Sequence, residues 1–479
     1  GGAVSAGTSL ALAANGLLAG GGSLSAGTIA LAPYNNGAID LGGSAVSGLQ
    51  LSQSLVSELD PAAAVILGSA AGHTANSIFS EGAVSFANAL ATLEGTGGIS
   101  QTGTLSGHAI TLTGTSLALD GVVNATSLAL AASGAISQAS TGALDVTQLG
   151  GTAGGNVALA GANSIGTLGA LSATGTINLQ DSTALDVAGA VSAAVITLAA
   201  AGLDLASQIS TSSLAVLNSS GSLSQSGGKL TAVTLAGSIA NNASLNGTQN
   251  SIGTLAGFTA GGTLSLTDQT ALTQTGSLAA ASITLTGTSL ALEGTASATT
   301  MALDATSGIS QAGTGVLSVA TLSSNTTPSG AILLGGTANA IGTLGALAAG
   351  QNIFIADAQT AAITGQISAA TALTLQGAGY TESGAGAIAA QTLTTGTGSL
   401  SGGLALGGSN AIGTLGALSA GGNVTLNDAQ ALTIAGLVST PGTFDLTTSG
   451  AVNEAAGGAL DVTQLGGTAG GNVALAGAN

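Results

Sequence analysis

Four aspartates, Asp181, Asp268, Asp357 and Asp428, follow four asparagines, Asn163, Asn250, Asn339 and Asn410, each at the same interval of 18. Each asparagine opens the motif Asn-[Ser/Ala]-Ile-Gly-Thr-Leu, and Asn479 stands where a fifth would open. Carboxylates at a fixed spacing invite two readings. One is calcium, which takes six to eight oxygen ligands. The other is structural, since Asp favours turns and accepts local backbone N–H bonds there. Successive members of the set lie four or five structural units apart, too far to share an ion, and no Gly-Gly-x-Gly-x-Asp array occurs. Turn residue is therefore the favoured reading, with calcium the weaker one. The asparagines recur too rarely for a stacked amide ladder, which needs one per coil. They are predicted to take left-handed turn positions, which Asn tolerates.

Little other chemistry is available. His73 and His108 are separated by about two structural units. A metal centre or an acid–base pair needs more convergent groups, so both read as surface or loop residues. Lys229 is the only basic residue besides histidine. Glycine-rich stretches such as 150–155 open no helical pattern, so no phosphate loop is implied. Thr-Leu-Thr recurs at 111–113, 284–286 and 392–394, too irregular for an ice-binding face. A lyase would need a cation to stabilise developing charge, and the sequence holds no Arg. Paired carboxylates for glycoside hydrolysis leave a β-helical polysaccharide-active enzyme as a remote alternative. The chain is expected to be non-catalytic, with no catalytic, cofactor or metal residue assigned.

Composition sets the class. The 479 residues include 80 Gly, one Lys, no Cys, no Trp and seven aromatics, with a net charge of −18. Charged residues make up 4%, against roughly 25% in an ordinary soluble domain. One Lys cannot neutralise a phosphate backbone, which argues against nucleic acid. Without Cys, thiolate metal sites and disulfide scaffolds are impossible. Disorder needs low hydrophobicity and high charge, whereas 45% of these residues are hydrophobic. Gly, Ser, Thr and Asn interrupt every apolar run, so no transmembrane helix is expected. The chain starts and stops in mid-pattern with no signal peptide, and is expected to be a segment of a longer or processed protein.

Repetition decides the fold. Segment 142–163 recurs identically at 458–479, an offset of 316. Within that period the Asn motif recurs at intervals of 87, 89, 71 and 69. The difference of about 18 between long and short blocks is one structural unit. A second motif, Ile/Leu-Ser-Gln, places Leu51, Ile99, Ile136, Leu223 and Ile309 at its apolar position. Apolar residues alternate with small polar ones in short runs bounded by Gly, as at 109–114 and 156–161. Period two bounded by turns reads as strands. The prediction is all-β: a right-handed parallel β-helix, or β-solenoid, of about 18–20 residues per coil and about 26 coils, stacked at about 4.8 Å. Residues 1–93 are expected to be solenoid with a less regular excursion. That excursion comprises a short helix over 51–59, followed by Asp60-Pro61, and a loop over 72–90. Residues 94–479 are expected to form a regular shaft.

The run 37–43 (Gly-Ala-Ile-Asp-Leu-Gly-Gly), the segment 51–59 and the repeated Ile-Ser-Gln and Asn-x-Ile-Gly-Thr-Leu coils resemble filamentous-haemagglutinin-like exoproteins. These are very large repetitive surface proteins of Gram-negative bacteria. The likeness spans the chain but covers only the repetitive shaft: the family's Asn-Pro-Asn-Gly secretion domain is not seen. The resemblance implies export by two-partner secretion or as an autotransporter, with an outer-membrane secretion partner and a cell-surface or extracellular location. It implies a shaft serving as adhesin stalk, biofilm component or delivery rod. From the sequence alone, an apolar, weakly charged surface and uncapped solenoid ends favour self-association, end to end or lateral. The leading expectation is a structural or adhesive fibre of a bacterial surface or biofilm matrix. The alternative is a passive stalk presenting a receptor-binding or toxin tip outside these residues.

Overall fold

The computed structural model describes residues 3–43, 48–59, 62–477 and 479. Among them the chain forms an all-β parallel β-solenoid of about 23 turns, 66% strand. Alternation builds it. In the strand Thr104–Gly114, Leu105, Ile110 and Leu112 are buried while Thr111 and Thr113 are partly exposed. Each strand then pairs in parallel with the one a coil later. Thr104 meets Val122, an offset of 18, and Val122 meets Ala143, an offset of 21. At Tyr380 and Leu404 the offset reaches 24. This spread in coil length is why the turns are fewer than the 26 expected.

Contacts divide the chain into two units: Gly1–Val233 with Gly237–Ala240, and Thr234–Ala236 with Asn241–Asn479. Residues 94–233, grouped by sequence with the later shaft, thus belong to the first unit. In that unit a column of like residues runs coil to coil in register. It comprises Ile29, Val65, Ala91, Ile110, Leu128, Leu149, Leu168 and Val187, each at most 2% exposed. Burying each large aliphatic side chain contributes about 1.5–3 kcal/mol, so the core is a line of stacked contacts along the coils. The second unit repeats the device. Leu272, Leu290, Ile309, Ile332, Ile353, Leu373, Leu393, Leu415 and Ile434 follow one another in register and are equally buried.

The first unit also carries an excursion. Thr28 pairs with Ala64, about twice the usual interval along the chain, and the extra length holds a helix, Gln53–Leu59. Ser52 caps it by accepting the Leu55 N–H at Oγ, 3.4 Å away, as N-cap serines do. Leu55, Val56 and Leu59 form its buried face. Leu51 ends the preceding strand, Gly48–Leu51, and Asp60-Pro61 lies outside the described residues. The loop expected over 72–90 is corrected: it contains the strands His73–Thr74 and Ser77–Ser80 and the first part of Val84–Glu94. Two irregularities hide them from a period-two reading. His73–Thr74 turns back on Ser69–Ala70 as an antiparallel pair through Ala71 and Gly72, both at positive φ. A register shift between Phe86 and Leu90 then breaks the alternation. No helix among the described residues is long and apolar enough to cross a membrane.

Candidate functional site

Asn163 lies in the strand Val157–Ala173, and Asp181 ends the next strand, Thr176–Asp181. A register shift between Leu159 and Asn163 brings Asn163 opposite Asp181. Asn410 and Asp428 meet in the same way after a shift between Leu406 and Asn410. The bulge re-aims the amide into the interior, a known use of such irregularities. Asn163, Asn250, Asn339 and Asn410 are all 0% exposed, and the four aspartates are 1–5% exposed. Among the described residues only Asn36 and Ala71 are non-glycines with positive φ. The asparagines are therefore not left-handed turn residues, and that expectation is corrected. A buried amide must find partners for all its polar atoms, and a coil-to-coil position supplies them on both sides.

The partners repeat. Toward the following coil, Asn163 Nδ2 donates to Gln180 O at 2.9 Å, Asn250 to Thr267 O at 3.1 Å, Asn339 to Ala356 O at 3.1 Å and Asn410 to Asn427 O at 3.0 Å. The aspartate of that coil answers. The Ile165 N–H donates to Asp181 Oδ2 at 3.1 Å, Ile252 to Asp268 at 2.8 Å, Ile341 to Asp357 at 3.1 Å and Ile412 to Asp428 at 3.0 Å. Asp181, Asp268 and Asp357 also accept the N–H two residues on, from Thr183, Thr270 and Gln359. The local turn bond expected of Asp is thus present in these three, but it is joined to a bond across coils.

Toward the preceding coil, Asn163 Oδ1 accepts the Leu144 N–H at 2.9 Å, Asn339 accepts Leu317 at 2.9 Å and Asn410 accepts Ile388 at 2.7 Å. A second amide completes the set. Gln138 Nε2 donates to Asn163 Oδ1 at 2.7 Å and its Oε1 accepts Asn163 Nδ2 at 3.1 Å. Gln311 does the same with Asn339, at 2.7 and 2.9 Å. At Asn410 and Asn479 the residue is glutamate. Glu382 Oε2 accepts from Asn410 Nδ2 at 3.1 Å, and Glu454 Oε2 from Asn479 Nδ2 at 3.2 Å. The result is a clamp of three polar side chains across consecutive coils: Gln or Glu, then Asn, then Asp.

Sequence reasoning missed the first member. Gln138 and Gln311 are the glutamines of the Ile-Ser-Gln motif, and they precede their asparagines by intervals of 25 and 28. Glu454 occupies the place of Gln138 one long period later. The two motifs are two halves of one contact. Gln101, from the same motif, is fully buried and bonds across coils to Gly121 N–H and Val122 O.

The electrostatics follow from burial. Desolvation pushes Asp357 and Asp428 up to about 6, against N–H donors that pull them down. Asp181, Asp268 and Glu382 are raised for the same reason. These carboxyls face N–H donors, whose positive ends oppose a cation, and each sits in its own clamp. The calcium reading of Asp181, Asp268, Asp357 and Asp428 therefore has no support in the geometry. Among the described residues no three His, Cys, Asp or Glu side chains converge to hold a metal. His73 stacks on Tyr34 with ring centroids 4.8 Å apart, while His108 is exposed on its strand. No family model matches the chain, and no curated protein matches it.

Proposed function

We propose that this chain is a non-catalytic segment of an extracellular structural or adhesive fibre, of the kind formed by the shafts of filamentous-haemagglutinin-like exoproteins at a Gram-negative cell surface. The observation that carries this reading is the clamp. Asn163, Asn250, Asn339 and Asn410, the aspartate that follows each of them, and Gln138 and Gln311 all spend hydrogen bonds on holding one coil to the next. A site for a substrate would leave such groups free to face it. The long tandem repeat reproduces the clamp, which suits a protein whose useful property is length.

Self-association belongs to this reading, because charged residues are only 4% of the chain and exposed apolar area favours contact between copies. Surface labelling of intact cells tests the location: the fibre reading requires labelling without lysis, and a chain labelled only after lysis contradicts it.

A further inference from the structure

The glutamate clamp is built as the glutamine clamp is, with one proton unaccounted for. In the clamps at Gln138 and Gln311, the Gln Oε1 accepts two bonds, one from Asn Nδ2 and one from a glycine N–H. The glycines are Gly161 and Gly336, each at 2.9 Å. Glu382 Oε2 takes the same two bonds, from Asn410 Nδ2 at 3.1 Å and from the Gly408 N–H at 2.6 Å. Its other oxygen, Oε1, therefore falls where the glutamines carry their amide nitrogen. That nitrogen donates to the asparagine Oδ1. Glu382 Oε1 is shut off from solvent and has no hydrogen-bond partner. An ionised carboxylate has nothing to donate, and two acceptor oxygens facing each other in a buried site repel.

We infer that Glu382 is held as a neutral carboxylic acid whose Oε1–H donates to Asn410 Oδ1, in the place of the glutamine N–H of the other clamps. Asn410 Oδ1 already accepts the Ile388 N–H at 2.7 Å. Its second lone pair is the one that Gln138 and Gln311 use at their asparagines. The proton comes from solvent, and no cation competes for the role. Residues 241–479 contain no Lys, Arg or His. The strands packed on Gln366–Glu382 are Leu347–Ala349, Ile353–Ile363, Ala387–Thr394 and Leu404–Leu415. Their one titratable group is Asp357. Tyr380 lies on the strand of Glu382 itself, and Asp428 lies beyond Asn410. These are acids, and a charge on either aspartate disfavours a further negative charge. Burial raises Glu382 above its ordinary value, which agrees with the geometry.

The clamp at Glu382 is then a proton-operated catch. A group whose folded value is raised stabilises the fold below its ordinary value and loses that contribution as pH rises through the folded one. The catch closes in acid and loosens toward alkali, while the glutamine clamps do not respond. The test compares the wild-type chain with Glu382→Gln between pH 4 and pH 8. The readouts are the carboxyl carbon signal of Glu382, assigned by its loss in the variant, and amide exchange at Gly408. The signal is expected to titrate above the ordinary value of 4.5. Gly408 should exchange equally in both proteins at pH 4 and faster in the wild type at pH 8, by about tenfold per unit of raised value. A Glu382 signal titrating at or below 4.5 overturns the inference, as does faster exchange in the variant at pH 8. If the variant does not fold, the Glu382 signal is assigned through bonds from its sequence neighbours Thr381 and Ser383, and its titration decides alone.

Discussion

Asn163 and Asp181 face each other in register on adjacent coils and bond in both directions: the Asn163 amide donates to the carbonyl beside Asp181, at Gln180, and the Asp181 carboxylate accepts the Ile165 N–H. The exchange is the side-chain counterpart of a parallel ladder. A parallel solenoid is otherwise held by apolar stacking and backbone bonds, which oppose a one-residue slip because it would turn the apolar face outward but tolerate slippage by a whole coil of like alternation. A buried polar clamp does not, because a slipped coil would leave four or five polar groups unpaired at a cost of about 1–3 kcal/mol each. The clamp thus fixes register at intervals along a chain of nearly uniform Ala, Leu, Ser and Thr.

Removing the amide should show this directly. Asn163→Ala leaves the Leu144 N–H and both polar atoms of the Gln138 amide without their Asn163 partner. We expect a local destabilisation of about 3 kcal/mol from these unpaired groups. Amide exchange at Leu144 and Ile165 should rise accordingly, while amides several coils away keep their protection. Uniform loss across the chain would mean that the clamp acts globally.

The buried aspartates should make the chain more stable in mild acid. Asp357 and Asp428 sit at about 6 in the fold, against an ordinary value of 3.8. Their contribution is full below 3.8 and is lost as pH rises through 6, a difference of about 3 kcal/mol per group at pH 7. Asp357→Asn keeps an acceptor for the Ile341 N–H and removes the charge. The variant should be more stable than the wild type at pH 7, and the difference should vanish below pH 4. Denaturant titration at the two pH values checks it. A variant that loses stability at pH 7 would show the carboxylate to be the preferred form.

Much of this was legible in the sequence, and the rest was not for a definite reason. Alternation around Ile110 and Leu112 reads directly as strand, and the repeat of 142–163 at 458–479 reads as stacking. The interval of 18 between Asn163 and Asp181 was equally visible. Its meaning was not, because Gly-Ala-Asn-Ser and Gln-Asp-Ser look like turns, and the motif asparagine appears only once in four or five coils. The amide ladder fails as an idea only if every rung must be asparagine. Here the rungs change type, from Gln138 to Asn163 to Asp181, and three residue types at offsets of 25 and 18 do not register as one motif. The strands within 73–90 were hidden by the antiparallel turn at Ala71 and Gly72 and by the register shift after Phe86.

One close approach should be intolerant of any side chain. Gly377 holds φ at +117° and pairs with Asp357 in the preceding coil, whose carbonyl oxygen occupies the space a Cβ would need. Gly377→Ala is expected to cost about 2–3 kcal/mol through overpacking and backbone strain. Amide exchange at Ile341, which bonds to Asp357, should rise with it. Wild-type protection there would contradict the assigned approach.

Proteolysis offers a simple probe of continuity. Lys229 is the sole trypsin site in 479 residues. Its carbonyl accepts the Ile209 N–H at 2.9 Å, and the next residue, Leu230, is fully buried in a strand. The native chain should stay whole under trypsin, and the denatured chain should give two fragments, 1–229 and 230–479. Rapid cleavage of native protein would place a local opening at this point.

The most direct test of the proposed role is electron microscopy with fibre diffraction on native material from the cell exterior. The fibre account predicts stiff filaments, longer than one chain, with an axial reflection at about 4.8 Å from coils stacked along the filament. Isolated particles of one chain length, or strands that run along the filament so that the same reflection lies off axis, would contradict it.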